Sequence, residues 1–256
     1  MEANFKTMRV WWVALLCCWA VSVSAQEYTG TTGLLQVPSA EMDSAGAFRV
    51  GGWFLHRRFL PETLHGTREP YNSFGYTAGL TVFRWLEISY SGVLLKMHPN
   101  RDPSRPLRYC NEDRHVSLKV RPLKEGRWWP SVAVGIDDVG DFSLFREADA
   151  QEYNNYFESY YIAASKHVET DWGLLGLHLT YRHYPYAANR NREGLAGGIT
   201  LRPRFFRPLR FILEWDGAYS SVGADVLLWR HLFAQVCLTD GYWPTVGLSY
   251  HYQIPL

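Results

Sequence analysis

Cysteine is scarce in this sequence, which has four among its 256 residues. Cys17 and Cys18 lie in an apolar N-terminal run, so an exported and processed chain would keep only Cys110 and Cys237. Two cysteines do not form the disulfide framework of a small secreted domain. We expect both to be unpaired thiols, because Cys110 falls in a predicted loop and Cys237 falls in a predicted strand.

An excess of one charge is also absent, since 26 lysine and arginine residues stand against 25 aspartate and glutamate residues. This balance argues against a polybasic surface, and no nucleic-acid partner is expected. The sequence also lacks a dinucleotide fingerprint, a P-loop, a zinc-protease helix and a Cys-x-x-Cys pair. It therefore predicts no cofactor, no metal site and no catalytic residue, and we expect a protein that is not an enzyme.

Long apolar runs are missing except at the N-terminus. Lys6 and Arg9 precede the apolar run 10–20, and Ala25 stands where a signal peptidase would cleave. This pattern is typical of a secretory signal peptide over residues 1–25, and the run is shorter than the roughly 20 residues of a spanning helix. No later segment approaches the length of a transmembrane helix.

The rest of the chain is rich in aromatic residues, which make up 16% of the sequence. Helical periodicity is scarce, and segments of about ten residues alternate between apolar and polar side chains instead. Leu86, Ile88 and Tyr90, for example, alternate with polar neighbours. The predicted strands cover residues 47–56, 73–83, 85–95, 113–121, 131–138, 156–167, 173–183, 193–202, 208–216, 218–228, 230–239 and 243–253.

Two kinds of β protein alternate in this way. The polar face of a soluble sandwich meets water, whereas the apolar face of an outer-membrane barrel meets lipid. These segments mostly exceed the five or six residues of an average strand and match the roughly 9–11 that cross a bilayer at a tilt. We therefore predict an all-β fold, an antiparallel transmembrane β-barrel of about 12 strands over residues 26–256. Residues 26–46 would form an N-terminal periplasmic or plug segment, where Pro38 disfavours a central strand.

The connections and the tryptophans favour the barrel. The predicted connections 57–72, 96–112, 139–155 and 184–192 are mostly longer than those at the opposite strand ends, as in outer-membrane barrels. Many tryptophans stand at or near predicted strand ends, where a membrane would place the indole ring at headgroup level. Tryptophan is also common in the hydrophobic core of soluble proteins, so its abundance alone does not indicate a membrane protein. Placement at strand ends favours an aromatic girdle.

One face of several predicted strands carries charged side chains that a closed lumen would hold. On the strand from Leu209 to Trp215, only Ile212 interrupts this polar face. His178, Asp225 and His251, on other predicted strands, are also predicted to face the lumen. The lumen-facing candidates for contact with a polar glycan are Glu87, Lys119, Arg121, Asp137, Lys166, Arg182, Arg202, Arg210, Glu214 and Asp216. Mixed ion pairs would also fill such an interior without binding a ligand.

The last predicted strand carries a possible targeting pattern. Thr245, Gly247, Tyr250 and Tyr252 are arranged in a way that resembles the C-terminal insertion signal of bacterial outer-membrane proteins. That signal usually ends at its last aromatic residue, whereas "QIPL" follows here. The resemblance to this signal implies recognition by the barrel assembly machinery.

Four stretches together resemble the YjbH family of Gram-negative outer-membrane proteins. They are "GTTGLLQVPSAEM" from Gly30, "FRWLEISY" from Phe83, "DRHVSLKVRPLKEGRWWPSVAVGIDDVG" from Asp113 and "YYIAASKHV" from Tyr160. The resemblance implies a non-enzymatic outer-membrane β-barrel that assists export of exopolysaccharide or capsule. Its partners would be outer-membrane lipid, the polysaccharide and a periplasmic polysaccharide-export protein. The chain departs from the family where "DFSLF" replaces a glycine-rich continuation, and it lacks the second barrel-forming half of the longest members.

Two other functions stay open. One is a lipid or glycan hydrolase on a barrel scaffold, which needs a serine, a histidine and an acid or amide within hydrogen-bond distance. His115 with Ser117, and Ser249 with His251, share predicted faces. Residues two apart on a strand lie roughly 6–7 Å apart, so we expect no direct proton transfer within these pairs. The other is a periplasmic carbohydrate-binding β-sandwich.

Overall fold

The twelve strands close into one barrel. The computed structural model describes residues 26–59, 71–99, 102, 104–139, 157–185 and 187–255, so the predicted signal peptide lies outside the described residues. The strands are β1 (Ala47–Leu55), β2 (Ser73–Phe83), β3 (Leu86–Met97), β4 (Arg108–Leu123), β5 (Ser131–Asp137), β6 (Ser159–Glu169), β7 (Gly173–His183), β8 (Gly194–Pro203), β9 (Leu209–Trp215), β10 (Ser220–Leu228), β11 (Leu232–Thr239) and β12 (Trp243–Gln253).

Every strand pairs antiparallel with its neighbours in sequence, and β1 pairs with β12 to close the sheet. The predicted all-β antiparallel barrel is confirmed. In the described part of the chain, no helix has the length and apolar character needed to cross a membrane.

The connections divide between two rims of unequal character. At one end, here called the long-loop rim, the longer connections join β1 to β2, β3 to β4, β5 to β6 and β7 to β8, and two tight hairpins follow β9 and β11. The opposite end, the short-turn rim, holds residues 84–85, 124–130, 170–172, 204–208 and 229–231. The first and last strands both meet this rim, because β1 begins there and β12 ends there.

Strand β4 begins earlier than the sequence predicts. Its first residues pair with the end of β3 beyond a bulge between Val93 and Leu94, so Cys110 lies in a strand and its placement in a loop is wrong. The polar residues at the start of β4 do not alternate clearly, and only the hydrogen bonds to β3 make them extended. Cys110 is half-buried, Cys237 is buried, and both are unpaired.

The two faces of the barrel wall have opposite chemistry. On β12, Leu248 is 54% exposed and Tyr250 is 48% exposed, whereas Ser249 and His251 between them are only 3% and 6% exposed. The same alternation recurs around the wall, with apolar side chains outward and polar side chains inward. A sandwich would bury its apolar faces against each other. The sandwich hypothesis is therefore wrong for this chain.

Residues 26–43, here called the luminal segment, lie inside the barrel. Every one of them is buried or half-buried. Side chains from most of the wall hydrogen-bond to this segment, and they include Thr77 on β2, Glu87 on β3, Lys119 on β4, Ser165 on β6, Arg182 on β7, Arg210 and Glu214 on β9, Ser221 on β10 and Gln235 on β11. The interior is consequently filled by protein.

The luminal segment explains the one apolar residue on the polar face of β9. Ile212 is 2% exposed and packs in a cluster with Leu34, Leu35 and Val37 of the segment and with Cys237 of the wall. An apolar side chain pointing inward is favourable there, because it meets apolar side chains rather than water. The alternation of polar and apolar side chains is interrupted at Ile212 because this side chain packs against the luminal segment.

Gly247 of the C-terminal pattern makes room for an aromatic ring. The side chain of Trp53 on the paired strand β1 is buried and lies across the Gly247 backbone, so a Cβ at Gly247 would overlap its indole. Glycine in a strand often marks such a close approach. Tyr250 and Tyr252 point outward, while Thr245 points inward.

We expect Gly247→Ala to destabilise the barrel by about 1–3 kcal/mol, the usual cost of overpacking a filled interior. Gly52→Ala on β1 is the matched control, since the nearest atom to a Cβ there is the Gly75 carbonyl oxygen at 3.5 Å. Urea unfolding in detergent, followed by tryptophan fluorescence, measures both. Equal stability of the two variants would contradict this account of Gly247.

Candidate functional site: the barrel interior

The charged interior is organised around the backbone of the luminal segment. Glu87 on β3 and Lys119 on β4 are direct cross-strand partners, and both are fully buried. Glu87 accepts hydrogen bonds from the backbone N–H and the hydroxyl of Thr32, at 3.0 and 2.7 Å. Lys119 Nζ donates to the carbonyl oxygens of Thr32 and Glu41, both at 2.6 Å. One carboxylate and one ammonium group therefore satisfy donor and acceptor groups of the luminal segment at Thr32 and Glu41.

Glu214 holds the centre of the luminal segment. Its carboxylate accepts from the backbone N–H groups of Leu35 and Gln36 at 2.9 Å, and from Val37 at 3.4 Å. Successive N–H groups that converge on one carboxylate form an anion-binding arrangement. The Gln36 side chain continues the contact by donating to Ser221 at 3.0 Å. Glu214 thus replaces the water that an open lumen would supply to this backbone.

Two arginines bridge the segment to acids of the wall. Arg210 donates to its cross-strand partner Asp225 at 2.9 Å and to Glu41 at 2.9 Å. Arg182 donates to Asp137 at 2.5 Å and to Glu27 at 3.2 Å. Buried charges are tolerated when they are paired and hydrogen-bonded in this way.

Two of the three acids of the luminal segment, Glu27 and Glu41, have opposite protonation behaviour. Burial raises the pKa of Glu27 to about 8, although the Arg182 guanidinium opposes this shift. Burial also acts on Glu41, but Arg210 and the hydrogen bond from His167 outweigh it and hold the pKa of Glu41 well below its ordinary value. At neutral pH, Glu41 is therefore charged and anchors the segment through its ion pair with Arg210.

The remaining predicted lumen-facing residues lie nearer the rims. Lys166 pairs with Glu125 at 3.0 Å, and Arg121 donates to the Arg84 carbonyl oxygen at 2.8 Å. Asp216 pairs with Arg192 at 3.4 Å. Arg202 is half-buried on β8.

The ten predicted residues therefore divide into two groups. Glu87, Lys119, Arg182, Arg210 and Glu214 contact the luminal segment directly, and Asp137 reaches it through Arg182. A glycan would reach these six only if the segment moved. Contact between the ten residues and a glycan stays a prediction.

Sequence reasoning missed several members of the network. Arg49 on β1 is fully buried and pairs with Asp43 at 2.8 Å and with Glu87. The signal was present, because Arg49 stands between Phe48 and Val50 and so occupies the inward parity of its strand. The acids of the luminal segment gave no such signal, since that segment has no regular period.

Two serine–histidine pairs meet in the wall. Ser249 Oγ lies 2.9 Å from His251 Nε2, so the expectation that residues two apart are too distant is wrong here, because the imidazole reaches back along β12. Ser165 Oγ lies 2.9 Å from His178 Nδ1, and the other ring nitrogen of His178 meets Thr200 Oγ1 at 3.1 Å. Both serines are buried. This geometry suits wall packing better than attack on a substrate.

Comparison with known proteins shows which family this chain belongs to. The family described as "Exopolysaccharide biosynthesis protein YbjH" matches residues 25–181, from the luminal segment into β7. An "Uncharacterized lipoprotein YjbH" of Escherichia coli (strain K12) is 27% identical over 262 residues, an alignment that covers 88% of this chain and 33% of that protein. The chain thus spans about a third of the length of this relative. On the family match, which extends over more than half of its residues, the chain belongs to the YjbH exopolysaccharide biosynthesis family.

Proposed function

We propose that this protein is an outer-membrane β-barrel of a Gram-negative bacterium that assists export of exopolysaccharide or capsule without catalysing a reaction. Family membership supports the link to exopolysaccharide. The observation that carries the membrane placement is the inverted wall, with large apolar side chains exposed outside and charges enclosed within. Water would make such an outer surface prone to aggregation, whereas hydrocarbon makes it favourable.

The rims fit this placement. Outer-membrane barrels turn tightly on the periplasmic side and carry longer loops outside, so the short-turn rim would face the periplasm. At that rim Trp128 and Trp172 are each 80% exposed, and Trp229 is 69% exposed. Indole rings at this level would lie among the lipid headgroups. The C-terminal strand would then present Tyr250 and Tyr252 to lipid, as recognition by the barrel assembly machinery requires.

The filled interior limits how the barrel takes part in export. A barrel of 12 strands is narrower than the roughly 16–18-stranded channels that pass solutes freely. Here the luminal segment and its ion pairs also occupy that narrow space. We infer that the barrel is an accessory to a polysaccharide-export protein in the periplasm, or that it opens only when such a partner displaces the segment.

Gene deletion with complementation tests this function. Exported exopolysaccharide, measured as sugar released from the cell surface, should fall when the gene is deleted and return with the wild-type chain. The variant Ser249→Ala, which removes the serine of one of the two serine–histidine pairs, should restore export equally if this pair catalyses no hydrolysis. Unchanged export in the deletion strain would refute the export role, and failure of Ser249→Ala alone, with normal barrel folding, would favour the hydrolase hypothesis.

A further inference from the structure

A glutamate and two histidines meet where the luminal segment passes the wall at β6 and β7. Glu41 belongs to the segment, His167 to β6 and His178 to β7, and one potential ligand atom from each lies within 4.8 Å of the others. Glu41 Oε1 and His167 Nε2 are 3.0 Å apart. No other group of three such ligands occurs among the described residues.

The surrounding hydrogen bonds orient these atoms toward one another. Glu125 accepts from His167 Nδ1 at 2.7 Å, which turns Nε2 toward Glu41. A carboxylate behind a histidine is the usual outer partner of a metal-binding imidazole. Arg210 binds Glu41 Oε2 at 2.9 Å and leaves Oε1 on the histidine side. Asp225 pairs with Arg210 and offsets its positive charge near the cluster.

The two imidazole rings lie close together, with ring centroids 5.6 Å apart. Gly176 on β7 pairs directly with His167 on β6 and with Thr200 on β8. A Cβ at Gly176 would lie 2.8 Å from His178 Nε2 and 3.1 Å from His167 Cδ2, and it would overlap the Thr200 hydroxyl. The absence of a side chain at Gly176 therefore lets both histidines and Thr200 approach the β7 backbone at this point.

The cluster is accessible from one end of the barrel. His167 and Glu125 side chains are 20% and 25% exposed, and Glu125 lies in the connection 124–130 of the short-turn rim. His178 is buried behind them. An ion entering from this rim would meet His167 and Glu41 first.

We propose that Glu41, His167 and His178 bind a zinc ion that fastens the luminal segment to the wall. Two imidazole nitrogens and one carboxylate oxygen form a known zinc ligand set that keeps a fourth position for water. His167 Nε2 would release to water the proton that it donates to Glu41, and His178 would exchange its hydrogen bond to Thr200 for the ion. The ion would join β6, β7 and the segment, so the end of the segment nearest β1 would be held most firmly. This proposal does not depend on the export role.

Titration of the full chain, purified in detergent and stripped with a chelator, tests the site. Co²⁺ is the probe, because its visible absorption reports nitrogen and oxygen ligands, and Zn²⁺ should displace it. We expect saturable binding of one ion per chain in the wild type. His167→Gln and His178→Gln should each weaken binding at least about 100-fold, and Glu125→Gln should weaken it about 10- to 100-fold.

His183→Gln is the matched control, since His183 is an exposed histidine that pairs with Glu193 at 3.2 Å outside the cluster. It should bind Co²⁺ like the wild type. Gly176→Ala retains every ligand, but its Cβ would displace Thr200 and His178 from their positions, and it should also weaken binding. The proposal is overturned if the folded wild type shows no saturable binding, or if folded His167→Gln and His178→Gln bind as tightly as the control. If ligand variants do not fold, the wild-type titration alone decides.

Discussion

Replacing Glu214 by alanine should loosen the luminal segment and lower the free energy of unfolding by about 3–5 kcal/mol. The variant removes the acceptor for the backbone N–H groups of Leu35, Gln36 and Val37. Each buried donor left without a partner costs about 1–3 kcal/mol, and water that enters the cavity recovers part of this loss. The expected effect is large because one side chain serves three consecutive residues.

Two measurements check this result. Urea unfolding gives the stability change, and labelling of a thiol introduced by Ser39→Cys reports access to the luminal segment, since Ser39 is fully buried. Glu214→Ala should increase the labelling rate by at least about tenfold, in line with a stability loss above about 1.4 kcal/mol. Glu169→Ala is the control, because Glu169 is 61% exposed and pairs only loosely with Arg207 at 3.4 Å. If both variants label at the wild-type rate, Glu214 does not hold the segment.

Arg210→Met should destabilise the protein by about 3–5 kcal/mol, because it leaves Asp225 and Glu41 without the guanidinium that neutralises them. Removing one partner of a buried ion pair is costly, whereas removing both is often nearly neutral. The double variant Arg210→Met with Asp225→Leu should therefore regain part of the lost stability. Unfolding in urea measures all three proteins.

An exposed arginine provides the comparison for this prediction. Arg207 is 49% exposed and its ion pair with Glu169 is 3.4 Å long, so Arg207→Met should change stability by less than about 1 kcal/mol. If Arg210→Met and Arg207→Met had the same small effect, the buried network would contribute nothing to stability. If the double variant were less stable than Arg210→Met, the charge argument would fail.

The wall of the barrel follows from local sequence, since period-two alternation depends only on adjacent residues. Leu248 and Ser249 differ in exposure as their parity predicts. The early start of β4 was missed because polar residues there become extended through hydrogen bonds to β3 rather than through a pattern of their own.

The interior could be predicted only in part. Lys119 and Glu214 were assigned to the lumen by parity, but their partners were not, because Leu35 lies 179 residues before Glu214. Ile212 looked like an interruption until the apolar residues of the luminal segment were placed beside it. His167 and Glu41 come together across 126 residues of sequence. Contacts of this range depend on closure of the barrel, which no local pattern encodes.

Fluorescence quenching in liposomes tests most directly the claim that hydrocarbon covers the outside of the wall while the inside is enclosed. A fluorophore is attached at Leu248→Cys or at Ser249→Cys in a chain whose native cysteines are replaced by alanine, and the lipid tails carry bromine. Leu248 points outward and Ser249 inward, so strong quenching at position 248 and little at 249 is the predicted result. Equal quenching at both positions, or none at 248, would contradict it.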